Sequence, residues 1–144
     1  MTNSRFAMFY ARRSELRALR TFLEAFCAAA AIGRGHCLRL NLVLEELFIN
    51  TVSHGHRRDC DAPVWLALAS RDGSVHVTYE DTAPPFNPYA RLPEAPPDTT
   101  AEMRKIGGLG LLLTKELAAT RDYAYVFGRN RVHLVLEHEA VPAR

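Results

Sequence analysis

The stretch Leu38-Arg-Leu-Asn-Leu-Val-Leu-Glu-Glu-Leu-Phe-Ile-Asn-Thr-Val52 decides the fold of this chain. Its apolar residues recur at helical spacing and continue around nearly the whole circumference, so both sides of the helix need cover. We therefore predict a helix from about His36 to Ser53 that ends at Gly55 in a left-handed cap. Such an apolar helix is covered by a sheet and by neighbouring helices, which predicts a layered protein of helices and strands.

The segments before and after this helix are predicted to form the other helices and strands of the two layers. Alternating apolar residues predict strands, whereas apolar residues spaced by three and four predict helices. The predicted strands are Phe6 to Tyr10, Val64 to Ala69, Val75 to Tyr79, Tyr123 to Phe127 and Val132 to Glu137. Two more helices are predicted, one from Ser14 that Gly33 and Gly35 stop, and one from Leu111 to Ala119. The expected fold class is an α+β two-layer sandwich with a mixed, mainly antiparallel sheet and three helices on one face.

Length and composition exclude several classes of function. The chain has 144 residues, 48% hydrophobic and 24% charged, which suits a single domain over residues 1–144. Its 18 basic and 16 acidic residues give a net charge of +2, too weak for general nucleic-acid binding. Cys27, Cys37 and Cys60 lack metal or redox spacing, and the apolar run Phe26 to Ile32 is far shorter than the about 20 residues that span a bilayer. We expect a cytoplasmic protein with no membrane segment and no nucleic-acid partner.

Two polar residues on the apolar helix and one at a strand end are candidates for chemistry. Glu46 and Asn50 are four residues apart and share a helix face. The Asn50 amide oxygen is a ligand that magnesium accepts, and the Glu46 carboxylate can act as a base. The alternative is a buried polar pair bonded to a loop. Asp81 can accept a hydrogen bond from an exocyclic amine, or it begins the turn before Pro84.

A glycine cluster at a predicted helix start is the third candidate. Gly107 to Gly110 would present backbone N–H groups to phosphate oxygens, although glycines also cap helices and permit close packing. The preceding proline-rich segment from Asn87 to Ile106 has no periodic pattern. A loop of this length is typical of a functional or mobile segment.

These candidates occur in the order of three known sequence boxes. The segments are Glu45-Glu-Leu-Phe-Ile-Asn50, then Asp81-Thr-Ala-Pro-Pro-Phe86-Asn-Pro, then Arg104-Lys-Ile-Gly-Gly-Leu-Gly110-Leu. Together they resemble the N, G1 and G2 boxes of the GHKL ATPases, and among these the bacterial anti-sigma factor serine/threonine kinases. The resemblance covers about residues 6 to 138. It implies the Bergerat, or histidine-kinase-like, ATPase fold in a single ATP-binding domain whose ATP lid is the segment at about 87–106.

The resemblance also implies roles for individual residues. Glu46 matches the proposed general base, Asn50 the magnesium ligand and Asp81 the aspartate that reads the adenine amine. The cofactors implied are ATP and Mg²⁺. The implied nucleotide-binding residues are Asn50, Asp81, Ala83, Phe86, Ile106, Gly107, Gly108, Leu109 and Gly110.

Two positions depart from the family pattern. Ala83 stands where the G1 box usually has glycine, which would disfavour nucleotide binding if that position needed a positive φ or a close approach to the base. His133 is expected where a threonine often lies near the adenine site.

The function implied is that of an ATP-dependent serine/threonine protein kinase. It would transfer the γ-phosphoryl group to a serine or threonine of an anti-anti-sigma partner with a STAS domain, and its partners could include a sigma factor. A homodimer is also expected from the resemblance. The alternative is a non-catalytic or nucleotide-dependent switch of the same fold that binds a partner without phosphorylating it.

Overall fold

The computed structural model describes residues 3–89 and 118–138. The elements are β1 (Asn3–Tyr10), a 3₁₀ turn (Arg13–Glu15), α1 (Leu16–Ala29), α2 (Arg34–Asn50), a π-helical turn (Thr51–Gly55), β2 (Pro63–Arg71), β3 (Ser74–Asp81), β4 (Ala118–Val126) and β5 (Arg129–Glu137). None of the helices in these two ranges has the length and hydropathy that a bilayer-spanning segment needs.

The strands form one five-stranded sheet in the order β1-β2-β3-β5-β4, and each neighbouring pair is antiparallel. The β2–β3 hairpin turns at Asp72 and Gly73, both with positive φ, as its Asp-Gly pair predicts. At the end of β3, Asp81 pairs with Val64 on one side and with Asn130 on the other. The register therefore places Asp81 between two strands at one end of the sheet.

One face of this sheet forms the core. Residues of β2 and β3 alternate between buried and partly exposed positions, so every second side chain points to the helices. Both α1 and α2 contribute fully buried side chains to the same cluster, among them Leu23, Phe26, Leu44 and Phe48. This arrangement confirms the α+β two-layer fold class.

The third predicted helix, 111–119, differs in part from the structure. Residues 111–117 lie outside the described ranges, but Ala118 is the first residue of β4. The prediction that the helix continues to Ala119 is therefore wrong. Two adjacent alanines suit a helix by propensity, and pairing with β5 overrides that preference.

The connection between α1 and α2 also differs from its prediction. Helix α1 ends at Ala29, and Ala31, with a φ of 55°, takes the left-handed conformation that reverses the chain. Gly33 is extended and precedes the first residue of α2, whereas Gly35 lies inside that helix. Neither glycine therefore stops α1.

Helix α2 is not covered on all sides by the described residues. Leu40, Val43, Leu44, Leu47 and Phe48 are buried, as the sheet-facing side requires. Leu38 is 61% exposed and Leu42 is 38% exposed. The expectation that both sides of the helix are covered is therefore wrong for Leu38 and Leu42, which the described residues leave exposed.

Candidate functional site

The end of α2 brings the helix to the end of β3. Beyond Asn50 the helix widens into the π-helical turn Thr51–Gly55, a geometry often found at functional sites. A Cβ added to Gly55 would lie 2.7 Å from the Cβ of Ala83. Glycine is thus required here for close approach. The predicted left-handed cap at Gly55 is wrong, since Arg57 has the positive φ, 63°.

Ala83 fits its place without backbone cost. It is buried, and it is not among the non-glycine residues with positive φ in the described chain. Its backbone N–H donates to Asp81 Oδ1 at 3.1 Å. The conformational reason for expecting glycine at this position therefore does not apply, because the φ of Ala83 is not positive. The Ala83 methyl group packs into the space that Gly55 leaves open.

Asp81 is a buried carboxylate surrounded by donors. It is 6% exposed, and Thr51 Oγ1 donates to its Oδ2 at 2.7 Å. Its Oδ1 accepts from Ala83 N and from Asn130 Nδ2, the latter at 2.8 Å. A carboxylate offers about four lone-pair positions, two on each oxygen. Oδ1 is therefore saturated, and Oδ2 retains one position for a further donor.

The hydroxyl group of Tyr79 belongs to the same hydrogen-bond network. Tyr79 Oη lies 2.6 Å from Thr51 Oγ1 and 3.2 Å from the Leu47 carbonyl oxygen. Burial, followed by the Asp81 charge, raises the pKa of Tyr79 well above its usual value, so the phenol stays protonated. Because Asp81 can only accept, Thr51 donates to Asp81 and Tyr79 donates to Thr51 or to the Leu47 carbonyl.

Glu46 and Asn50 lie one turn apart on α2, about 6 Å along the axis. Both are partly buried. Burial, followed by the charge of Glu45, raises the pKa of Glu46. Neither side chain hydrogen-bonds to another residue within 3–89 or 118–138, and no three His, Cys, Asp or Glu side chains there are grouped to hold a metal. An ion at Asn50 would need oxygen ligands from a bound phosphate or water, which suits magnesium.

The glycine box lies outside the described residues, and so does most of the predicted lid. This applies to Ile106, Gly107, Gly108, Leu109 and Gly110 and to residues 90–106. The first lid residues, Asn87 to Tyr89, are described. Pro88 is buried, Tyr89 packs against the core, and Asn87 Oδ1 accepts from Tyr89 N at 2.9 Å.

His133 does not lie at this site. Its Nδ1 is 3.1 Å from Thr78 Oγ1, its partner on β3, and both side chains are on the sheet face opposite the helices. The expectation that His133 lies near Asp81, where a threonine often occurs in the family, is therefore wrong. The β5 residue opposite Asp81 is Asn130.

Two spaces adjoin Asp81 and the loop that follows it. A cavity of about 20 Å³ has room for roughly one water molecule. Its lining residues are Asp81, Thr51, Tyr79, Phe86, Pro88 and Asn130, together with the apolar Leu47 and Val132. An open cleft of about 730 Å³ lies beside the π-helical turn and residues 84–86, and ligand sites typically measure about 300–1,000 Å³. His54 stacks on Phe86 in this cleft, with ring centroids 6.4 Å apart.

Sequence reasoning missed four polar residues of this site, Thr51, Tyr79, Tyr123 and Asn130. Thr51 directly follows Asn50 and could have been found from its place one turn beyond Leu47, whose carbonyl it also contacts. Asn130 lies between the predicted strands Tyr123 to Phe127 and Val132 to Glu137, where no sequence pattern marks it. Only the register between β3 and β5 reveals its position.

Comparisons with known proteins bear on this geometry. A family model described as "Histidine kinase-like ATPase domain" matches residues 9–136. No curated protein sequence matches the chain. Among the 13 matching chains of solved structures is one with the RsbU and RsbW domains of Rv1364c from Mycobacterium tuberculosis. It is 19% identical with a TM-score of 0.64, and the alignment covers 99% of this chain and 34% of that chain. This similarity shows a shared fold.

Proposed function

Because this chain belongs to the histidine kinase-like ATPase domain family, we propose that it binds Mg-ATP and phosphorylates a serine or threonine of a protein partner. The observation that carries the proposal is the hydrogen bond between Thr51 and Asp81, 2.7 Å long. It joins the base-reading carboxylate to the helix that carries Glu46 and Asn50. Base recognition and phosphoryl transfer would thereby be linked through one hydrogen bond.

Asp81 would read the base. Its neighbours Thr51, Ala83 and Asn130 all donate to it, so the remaining position on Oδ2 calls for another donor. The exocyclic amine of adenine is such a donor, whereas guanine presents an oxygen at the corresponding position. A site built for an N–H group rejects an analogue that lacks it, because the buried acceptor stays unpaired.

Asn50 and Glu46 would act at the phosphate end. Magnesium would supply charge neutralisation of the phosphates, with Asn50 as its protein ligand. Glu46, whose pKa burial raises, would accept the proton of the attacking hydroxyl as its oxygen bonds to the γ-phosphorus and the ADP oxygen leaves. Gly107 to Gly110 would supply backbone N–H groups to the phosphates, by resemblance to the G2 box.

The partner class follows from the motif resemblance to anti-sigma factor kinases. We infer an anti-anti-sigma protein with a STAS domain as the phosphoryl acceptor, a sigma factor as a further partner, and a homodimer as the assembled form. The fold shared with a chain that contains an RsbW domain supports this class. A cytoplasmic location is part of the same proposal.

One observation favours a second candidate, a switch that binds its partner without transferring phosphate. The cavity at Asp81 holds about 20 Å³, which is far too small for adenine. In this arrangement, residues that line the cavity must move before a base can contact Asp81. A protein that kept this closed state would still present the same surfaces to a partner.

Phosphoryl transfer from γ-labelled ATP separates the two candidates. The protein is incubated with Mg²⁺, labelled ATP and a STAS-domain protein encoded beside it, and label is followed on the acceptor serine or threonine. The kinase proposal expects label that depends on Mg²⁺ and is absent with Glu46→Gln. A stable complex with the STAS-domain protein but no label would contradict it and support the switch.

A further inference from the structure

The carboxamide of Asn130 is held from both ends. Asn130 lies on β5 opposite Asp81 and is 5% exposed. Its Nδ2 donates to Asp81 Oδ1 at 2.8 Å, and the carbonyl oxygens of Ala83 and Pro84 lie 3.0 and 3.1 Å from the same nitrogen. Three acceptors from β3 and the following loop thus converge on one NH₂ group.

The other end of the amide binds two donors. Asn130 Oδ1 accepts from Phe86 N at 2.9 Å and from the Tyr123 hydroxyl. A backbone N–H can only donate, so the oxygen of the amide must face Phe86 and the NH₂ group must face Asp81. The orientation of Asn130 is therefore determined by its neighbours.

The Asn130 NH₂ group has the same donor chemistry as the exocyclic amine of adenine. Together with Ala83 N, this NH₂ group fills the two acceptor positions of Asp81 Oδ1. A nucleobase amine is thereby directed to Oδ2, the oxygen that also accepts from Thr51. Asp81 lines the small cavity.

We propose that Asn130 is a positioning residue for base selection, which fixes the rotamer of Asp81 and holds the loop 82–86 so that Oδ2 alone reads the base. This inference rests on the proposed nucleotide site. Without Asn130, Asp81 could rotate and accept from Oδ1 as well. The loop would also lose its connection to β5, because Ala83, Pro84 and Phe86 all bind this one side chain.

Two substitutions and a matched control test the proposal. Asn130→Ala removes both ends of the amide, and Asn130→Asp places an oxygen against three acceptors. Asn41→Ala is the control, since Asn41 is a partly buried asparagine on α2 whose side chain bonds to Glu45 and not to this loop. Amide hydrogen exchange at Ala83 and Phe86 is measured without nucleotide, and the ratio of ATP to GTP affinity is measured by calorimetry.

We expect exchange at Ala83 and Phe86 to accelerate about 10-fold or more in Asn130→Ala, which corresponds to the loss of a buried hydrogen bond. The ratio of ATP affinity to GTP affinity should fall by a similar factor in Asn130→Ala, and it should fall further in Asn130→Asp. Should either variant fail to fold, Tyr123→Phe removes one donor to Oδ1 and should accelerate exchange at Phe86 by a smaller factor.

The two readouts separate this inference from the proposed function. Unchanged exchange at Ala83 and Phe86 would overturn the positioning role, whatever happens to binding. An unchanged ATP to GTP ratio in variants with faster exchange would also overturn it, because Asn130 would then support the loop without selecting the base. A wild-type protein that binds neither nucleotide would contradict both the proposed function and base selection, whatever the exchange shows.

Discussion

The Thr51 hydroxyl donates to Asp81 Oδ2 at 2.7 Å and joins the end of α2 to the end of β3. The two residues are 30 positions apart in the chain. Because Thr51 follows Asn50 directly, this hydrogen bond connects Asp81 to the end of the helix that would hold magnesium.

Thr51→Val should destabilise the protein and weaken ATP binding. Valine keeps the shape of the side chain but leaves Asp81 Oδ2 and the Tyr79 hydroxyl short of a partner. The expected loss is about 1–3 kcal/mol in the free energy of unfolding, measured by urea denaturation. Thr51→Ser retains the hydroxyl and should stay close to the wild type. A Thr51→Val variant as stable as the wild type would show that the hydrogen bond does not stabilise the fold.

Gly55→Ala should destabilise the fold through contact with Ala83. Its Cβ would lie 2.7 Å from the Ala83 Cβ, and relieving such overlap costs about 1–3 kcal/mol. The double variant Gly55→Ala with Ala83→Gly should recover most of this loss. Gly35→Ala is the control, because a Cβ at Gly35 would have no neighbouring atom within 4 Å. Gly35 lies in a helix, where alanine is preferred to glycine, so this variant should be more stable by about 0.5–1 kcal/mol. Additive effects at positions 55 and 83 would contradict the contact.

Stability should fall as the pH rises through the range of the raised Glu46 pKa. Burial raises this pKa in the folded state, so the folded protein binds more protons than the unfolded chain between the two pKa values. Its contribution is therefore fully present below the unfolded pKa and is lost above the folded one. Glu46→Gln removes this dependence, so it should be more stable than the wild type at neutral pH. Thermal unfolding at several pH values measures the difference, and parallel profiles for the two proteins would exclude this role of Glu46.

Asn50→Ala and Glu46→Ala should affect different steps. Loss of the magnesium ligand should abolish Mg²⁺-dependent nucleotide binding, because the ion binds both the ground state and the transition state. Loss of the base should leave binding in place and abolish transfer, because a base acts on the reaction itself. Calorimetry with and without Mg²⁺, followed by the transfer assay, measures both. An equal fall in ATP affinity in the two variants would make Glu46 a structural residue.

The sequence by itself determined the elements and the order of the motifs. The apolar pattern of α2 and the Asp72-Gly73 turn are local signals, since helix periodicity and turn geometry depend on residues close in the chain. Asp81 could be placed at a strand end for the same reason. The five strands, the helices α1 and α2 and the two-layer fold class were all predicted on this basis, with boundaries that shift by a few residues.

Only the tertiary structure decided which residues meet Asp81. The pairing of β3 with β5 joins Asp81 to Asn130 across 49 positions, and no local pattern specifies that register. A shift of one residue would have brought a neighbour to the site and turned every side chain of β5 to the other face. His133, expected at the site from the family resemblance, lies on the opposite face for this reason. The contact between Gly55 and Ala83 could not be predicted from the sequence either, because their close approach depends on the packing of α2 against the loop after β3.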